Sequence, residues 1–301
     1  MCITSSRALL DNTYIGAWDI ELPKLGYRHV LAYQNRVKNS AEGPNCMLLH
    51  IPSKKNIEPE WLIDSSVYPT FLTDLYSHID PINTSEMWMS RSAKPKNHVV
   101  EQGVYHIAIL NDLDENSIAD TLKLIPKHKL PSIKPELIHF FRKNFPEFPL
   151  LLCCFDNKEA QFAAPILVHF PPLFPDTLMF NTIDAHGSVP NVDQKIDFHQ
   201  KIIFGTYKKQ SKKDAVYVKM IPDELVQYIT KNPLAAYLPN YIAAIDFKGR
   251  KAVPNKDVCV KLRDIHNMNL PEIKFALLGD VSTEIKVETH HLTNALLEIR
   301  L

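Results

Sequence analysis

The sequence predicts an α+β protein with a mixed or largely antiparallel sheet and helices packed on it. Strand-like segments occur in groups, and helical segments lie between the groups. With 301 residues, 45% of them hydrophobic, the chain can bury a sizeable core. No internal repeat or low-complexity linker divides the sequence. We therefore expect one large domain over residues 1–301, with a subdivision near 97–102 as the alternative.

The first part of the chain predicts strands followed by a helix. Phe71, Leu72 and Leu75 lie three or four residues apart, which predicts a helix over 68–79, and the segment 59–65 also has helical character. The polar segment 83–97 predicts a loop. Strand candidates rich in β-branched and aromatic residues precede the helix at 2–9, 14–22, 29–37 and 46–52.

The middle of the chain predicts a strand over 103–110 and then two helices. The polar cluster 114–117 is typical of a helix N-terminus, and apolar positions from Ile118 to Ile125 continue the first helix. Pro135 stands where the second helix begins, and Pro146 stands just past its end.

The remainder predicts mainly strands. Asp223 is placed to cap a short helix over 223–230. The last segment, 289–301, predicts an amphipathic helix. The strand candidates are 148–155, 164–170, 176–186, 194–205, 215–222, 237–247, 256–263 and 272–279.

Charge and hydropathy limit the classes of partner. The chain has 34 basic and 34 acidic residues, so it has no overall field that would attract nucleic acid or an anionic membrane. The basic segment 208–213, and Arg91 with Lys94 and Lys96, are interpreted as solvated loops. No apolar run is long enough for a membrane helix. We expect a small-molecule or peptide-like partner, with no nucleic acid and no membrane.

The cysteines and glycines of the chain limit the kinds of catalytic or binding motif that it can form. The five cysteines are odd in number and form no CxxC pair, which favours reduced thiols and a cytoplasmic location. Adjacent Cys153 and Cys154 are expected to alternate across a buried strand. With 8 glycines, the chain has no GxGxxG, P-loop, GxSxG or HExxH motif, so the usual nucleotide, serine-hydrolase and zincin signatures are absent.

Two Asp-x-His repeats are the first candidate site. Residues i and i+2 of a strand share a face, so Asp184 lies with His186, and Asp197 lies with His199. If 179–186 and 195–204 pair as a hairpin, the four side chains converge and suit Zn²⁺ or another divalent transition metal. Without a metal, Asp197 would orient His199 as a general base. The alternative is an ordinary half-exposed strand, because polar and apolar residues alternate over 195–202.

Cys2 is the second candidate. Removal of the initiator Met would leave Cys2 with a free α-amine, whose ordinary pKa of about 7.7–8.0 suits a base for its own thiol. This is the arrangement of N-terminal-nucleophile hydrolases. The alternative is an incidental thiol near the start of a strand.

Several segments resemble a family of uncharacterised bacterial proteins that begin with Met-Cys. The resemblance implies a shared fold and no particular chemistry. The matching segments are MCI (1–3), NTYI (12–15), VLAYQN (30–35), CMLLHIP (46–52), LLLCCF (150–155), IDAHG (183–187) and IIFG (202–205).

A few residues are also similar to the penicillin-acylase and bile-salt-hydrolase group of N-terminal-nucleophile amidases. Those enzymes begin Met-Cys, have an Asp shortly afterwards and use Asn side chains around the oxyanion. The resemblance implies these roles for Asp19 and Asn181. The chain departs from the group in having no Arg beside Asp19 and few glycines.

Three functions therefore compete, and whether the protein is an enzyme stays open. The first is hydrolysis of an amide-like bond with Cys2 as nucleophile. The second is metal-dependent hydrolysis by the quartet Asp184, His186, Asp197 and His199. The third is a non-catalytic binding or assembly role.

Overall fold

The computed structural model describes residues 2–79, 99–207, 218–220, 233–246, 250–266, 273–276 and 296–298. The strands in these ranges are β1 (Ile3–Thr4), β2 (Ala8–Leu22), β3 (Gly26–Asn39), β4 (Asn45–His50), β5 (Leu62–Ile63), β6 (Val99–Gln102), β7 (Tyr105–Leu110), β8 (Leu150–Phe155), β9 (Gln161–Phe162), β10 (Ile166–Phe170), β11 (Thr177–Phe180), β12 (Ala185–His186), β13 (Lys195–Phe198), β14 (Lys201–Thr206), β15 (Val218–Met220), β16 (Tyr241–Asp246), β17 (Arg250–Pro254), β18 (Asp257–Lys261), β19 (Ile273–Ala276) and β20 (Leu296–Glu298). The helices are α1 (Phe71–Ile79), α2 (Glu115–Lys123), α3 (Pro135–Asn144) and α4 (Leu262–His266), with 3-10 turns at Pro59–Trp61, Lys127–Lys129 and Pro233–Tyr237.

Two large sheets dominate the fold. One has the strand order β12-β1-β4-β8-β7-β6, and the other has the order β15-β20-β16-β14-β2-β3-β10-β5, with β9 also paired to β3. Smaller sheets are formed by β11-β18-β19 and by β13-β17. In the described residues only β1–β12, β2–β14 and β15–β20 pair in parallel, and the other pairs are antiparallel. The predicted α+β class with a mixed, largely antiparallel sheet is confirmed.

The core is layered. One apolar cluster fills the space between the two large sheets, because Ile15 and Tyr33 of one sheet meet Met47 and Leu151 of the other. A second cluster packs α1 on the outer face of the nine-stranded sheet, and a third packs α3 on the outer face of the six-stranded sheet. The order of layers is therefore helix, sheet, sheet, helix.

Alternation along the strands produces these layers. Cys153 points into the cluster between the sheets, and Cys154 points into the cluster under α3, as the sequence predicts. The five cysteines are free and buried. No helix in the described ranges combines the length and apolar character needed to cross a bilayer.

Helix starts follow the predicted polar signals. The Asp114 carboxylate accepts from the backbone amides of Asn116 and Ser117 and so caps α2. α3 begins at Pro135 and ends before Pro146. The helical character expected over 59–65 is reduced to one 3-10 turn, because Leu62 and Ile63 pair with β10 instead.

Long-range pairing corrects other predictions. The single strands predicted over 176–186 and 194–205 are each divided in two. The closing helix predicted over 289–301 is wrong at Leu296–Glu298, since that segment pairs with β15 and β16. Three predicted segments lie outside the described residues: the loop 83–97, the basic segment 208–213 and the helix 223–230.

Candidate functional site

The structure brings Cys2, Asp184 and His186 together. β1 runs parallel to β12, which places Ile3 opposite Ala185. The backbone N–H of Cys2 donates to Asp184 Oδ1 at 3.1 Å, and His186 Nε2 lies 3.3 Å from the same oxygen. Burial would raise the pKa of Asp184, but the hydrogen bond from His186 and the nearby amino terminus lower it below its ordinary value. Asp184 is therefore a carboxylate that anchors the start of the chain.

The thiol of Cys2 is sealed in the core. The residue is 2% exposed and packs in the cluster between the large sheets, beside Tyr33. Burial raises the pKa of the thiol to about 12, although the amino terminus opposes the rise. A nucleophilic cysteine must reach its thiolate form at working pH, and this thiol is protonated at neutral pH. Hydrolysis by Cys2 stays a prediction, and the burial of the thiol weighs against it.

Asp19 and Asn181 lie in other surroundings. Tyr33 contacts the thiol and pairs with Ile15 of β2. Asp19 lies four residues beyond Ile15 in the same strand, so the backbones of Ile15 and Asp19 are roughly 13 Å apart. The Asp19 carboxylate accepts from the backbone amide of Tyr207 at 3.2 Å. The side-chain amide of Asn181 donates to the backbone carbonyl of His50 at 2.9 Å. These contacts hold backbone segments in place.

The hairpin that would bring the two Asp-x-His repeats together is not formed. β12 pairs with β1, whereas β13 pairs with β17 in the two-stranded sheet. Asp197 is exposed, and its carboxylate accepts from the backbone amide of Ala252 at 3.4 Å. Ala252 has a φ of 61°, so Asp197 supports a left-handed residue at an irregularity of that sheet. His199 is exposed just after β13.

The quartet of Asp184, His186, Asp197 and His199 is therefore a corrected prediction. Exposure alternates over 195–202, which is the half-exposed strand that the sequence left as the alternative. Across the described ranges, no group of three or more His, Cys, Asp or Glu side chains is arranged to hold a metal ion. The expected Zn²⁺ or other transition metal has no ligand set in that part of the chain.

His50 and Asp257 form a buried pair that joins β4 to β18. His50 Nε2 lies 2.5 Å from Asp257 Oδ2, and both side chains are at most 1% exposed. The second carboxylate oxygen accepts from the backbone amide of Thr182 at 3.0 Å. The ring of His50 packs on Phe145, with 4.1 Å between ring centroids. Enclosure of this kind shuts out a substrate and indicates a structural role.

A solvent-facing cleft of about 910 Å³ lies where the connection from β8 to β9 passes between the two large sheets. Its floor is β3, and its walls are the start of α1, the β6–β7 turn, a 3-10 turn and the segment that leads into β9. The lining residues are Gln34, Arg36, Pro69, Thr70, Thr73, Gly103, Val104, His128, Lys129, Asp156, Asn157, Ala160, Gln161 and Phe162.

Gln34 fixes the start of α1, which is one wall of this cleft, and the residue that follows β9 to the floor strand. Its amide nitrogen donates to the backbone carbonyls of Pro69 at 2.6 Å and Ala163 at 3.2 Å. Its amide oxygen accepts from the backbone amide of Leu72 at 3.1 Å, inside the first turn of α1. Because one buried side chain makes all three hydrogen bonds, the wall formed by the start of α1 is held against the floor in the folded chain.

Comparisons with known proteins do not assign a family. No protein-family model matches the chain, and no curated protein matches it. Among solved structures, the crystal structure of baculovirus P35 is similar with a TM-score of 0.39 and 11% sequence identity, over 84% of this chain and 89% of that one. A likeness at this level indicates neither a shared function nor a shared fold. The resemblance to bacterial Met-Cys proteins stays a prediction.

Sequence reasoning missed both the cleft and the partner of His50. His50 and His169 are both buried, in the apolar strands β4 and β10. Asp257 carried no signal, since it is 207 residues from its partner in the chain. The cleft residues belong to separate short segments with no shared motif.

Proposed function

We propose that the protein is a non-catalytic binding protein and that its ligand, a small molecule or a short peptide-like segment, occupies the cleft over β3. The observation that carries this proposal is the cleft of about 910 Å³, lined by both charged and apolar side chains. Ligand sites in proteins typically measure about 300–1,000 Å³ and combine apolar walls with a few polar groups.

The walls support binding because they are held before any ligand arrives. Gln34 ties the start of α1 and the segment after β9 to the floor. Lys129 Nζ donates to the backbone carbonyl of Val104 at 3.0 Å and so joins two further walls. A preformed cleft costs little ordering entropy on binding, which favours affinity.

The candidate nucleophile gives less support to catalysis. Cys2 is buried with a protonated thiol, the Asp184 carboxylate holds the backbone amide of Cys2, and His186 lies against that carboxylate. The lining of the cleft contains no cysteine and no serine, and the hydroxyls of its threonines, Thr70 and Thr73, donate to the Asp74 carboxylate and to the Thr70 carbonyl. Binding without bond cleavage is therefore the function that the geometry favours.

The test is a fragment screen by ligand-observed NMR against the wild-type protein and Ala160→Trp. Ala160 lines the cleft, and an indole at this position fills it. We expect a set of fragments that bind the wild type and are released unmodified, and we expect most of that set to be lost in the variant. Leu124→Trp is the matched control, because Leu124 is 50% exposed and does not line the cleft.

Fragments that bind equally well to wild type and Ala160→Trp would place binding elsewhere and contradict the proposal. Turnover of an amide fragment that disappears in Cys2→Ser would instead support hydrolysis. Urea unfolding of both tryptophan variants checks that the fold is retained.

A further inference from the structure

We infer that the ligand of this cleft carries an oxyanion group, either a carboxylate or a phosphate, on an apolar body. The inference rests on the proposed function and names its ligand class. It follows from the charges on the cleft walls, from which of those charges are already paired, and from the apolar residues beside them.

Arg36 supplies the first cation. It is half-buried on the floor strand, and in the described part of the chain its guanidinium has no carboxylate partner. A guanidinium offers a planar fork of donors that matches a carboxylate or a phosphate in a bidentate way. A half-buried, unpaired guanidinium gains more from an incoming oxyanion than an exposed one, because it is less well hydrated.

The second cation comes from the opposite wall. Lys129 Nζ donates to Val104 O, but an ammonium has three donors, so two remain. Burial lowers the pKa of Lys129, although the negative charges of Glu101 and Asp156 oppose the fall. His128, its neighbour in the same 3-10 turn, also lines the cleft.

Two acidic groups near Lys129 are already engaged by other side chains, and Asp11, which is opposite Arg36 on β2, does not line the cleft. Asp156 also lines the cleft, but its carboxylate is 2.9 Å from Lys158 Nζ and accepts from the side-chain amide of Asn39 at 2.8 Å. Glu101 is engaged by His106 at 2.8 Å. Among the charged side chains that line the cleft, Arg36 and Lys129 are cations, and the carboxylate of Asp156 is paired with Lys158, so the lining favours an anion over a cation.

Apolar side chains define the rest of the ligand. Phe162 and Val104 line the cleft together with Pro69 and Ala160. An inorganic ion would leave these surfaces in contact with water, whereas an acid with an aromatic or aliphatic body would cover them. The best match is an amphiphilic acid of fragment size.

Three probes of similar shape test this by calorimetric and NMR titration at neutral pH: phenylacetate, phenyl phosphate and neutral phenylacetamide. We expect at least one acid to bind about tenfold or more tightly than the amide, as one charge-assisted hydrogen bond implies. Stronger binding of phenyl phosphate would point to a phosphate ligand, and stronger binding of phenylacetate would point to a carboxylate ligand.

Arg36→Gln should remove about tenfold of the acid affinity and leave the amide unchanged. Lys38→Gln is the matched control, because Lys38 is an exposed cation two residues along the same strand that does not line the cleft. Lys129→Gln is the second variant, in case Arg36→Gln impairs folding, and urea unfolding verifies each protein.

The outcomes separate the two proposals. If the amide binds as well as both acids, and Arg36→Gln and Lys129→Gln leave acid affinity unchanged, the oxyanion inference is overturned while the cleft remains a binding site. If no probe binds and the fragment screen is also empty, the proposed function fails and the inference fails with it. Equal losses in Arg36→Gln and Lys38→Gln would indicate general charge attraction and also overturn it.

Discussion

Removing the carboxylate of Asp257 should destabilise the fold strongly. The carboxylate is fully buried and accepts two hydrogen bonds, from His50 at 2.5 Å and from the backbone amide of Thr182 at 3.0 Å. Hydrogen bonds to charged groups contribute about 1.5–3 kcal/mol each, and breaking a buried pair costs about 3–5 kcal/mol. We expect Asp257→Ala to lower the free energy of unfolding by about 3–5 kcal/mol.

Asp257→Asn separates the two contacts. The Asn oxygen still accepts from the Thr182 amide, and the Asn nitrogen can donate to His50 Nε2 if the ring carries its proton on Nδ1. That ring nitrogen has no hydrogen-bond partner in the described residues. Because both contacts are kept in a neutral form, we expect a cost of about 1–2 kcal/mol.

The assay is equilibrium urea unfolding followed by tryptophan fluorescence and circular dichroism. Asp120→Ala is the control, since Asp120 is 74% exposed in its pair with Lys123 and should change stability by less than about 0.5 kcal/mol. A cost below about 1 kcal/mol for Asp257→Ala, or equal costs for the Ala and Asn variants, would refute this account of the pair.

Three further predictions follow from burial. Cys2 should resist alkylation by iodoacetamide in the native protein at neutral pH and should react after unfolding, because burial raises the pKa of its thiol to about 12. Mass spectrometry measures the alkylation, and rapid alkylation of the native protein would contradict the claim that the thiol is buried and protonated. Burial lowers the pKa of His29 and of His169 from 6.5 to about 4. As pH falls from 6.5 towards 4, these histidines take up protons in the unfolded chain but not in the folded protein, so the free energy of unfolding falls by up to about 3 kcal/mol for each histidine. Urea unfolding against pH should therefore be flatter for His29→Gln, and an unchanged slope would count against this reasoning. Gln34→Ala should lower the free energy of unfolding by about 2–4 kcal/mol and weaken fragment binding in the cleft, because the backbone groups of Pro69, Leu72 and Ala163 lose their shared hydrogen-bond partner. If neither the stability nor the binding changes, Gln34 does not hold the start of α1 against β3.

Local signals in the sequence predicted most of the elements. Asp114 caps α2 and Pro135 begins α3, because both effects depend on residues within one turn of the helix. Cys153 and Cys154 point to opposite faces, since the alternation is a property of any strand. Helix capping and the alternation of side chains along a strand depend on only a few neighbouring residues.

Pairing partners depend on distant residues, and here sequence reasoning failed. Asp184 and Asp197 would converge if 179–186 and 195–204 paired as a hairpin, but β12 pairs with β1, 182 residues away, and β13 pairs with β17. The segment 289–301 has the pattern of an amphipathic helix, yet Leu296–Glu298 within it pairs with β16, where the edge of the sheet supplies backbone hydrogen-bond partners. The residues of these segments do not by themselves determine which strand each segment pairs with.

The charged side chains of the cleft could not be recognised as a site from the sequence for the same reason. Arg36 follows Asn35 in an ordinary strand, and Lys129 lies in a short polar turn, so each reads as a solvated cation when taken alone. They become a candidate site only because Gln34 draws α1 towards the floor and Lys158 neutralises Asp156. The unpaired charge is thus a property of the assembled walls, which is why exchanging Arg36 and exchanging Lys38 should have different effects although both are cations on β3.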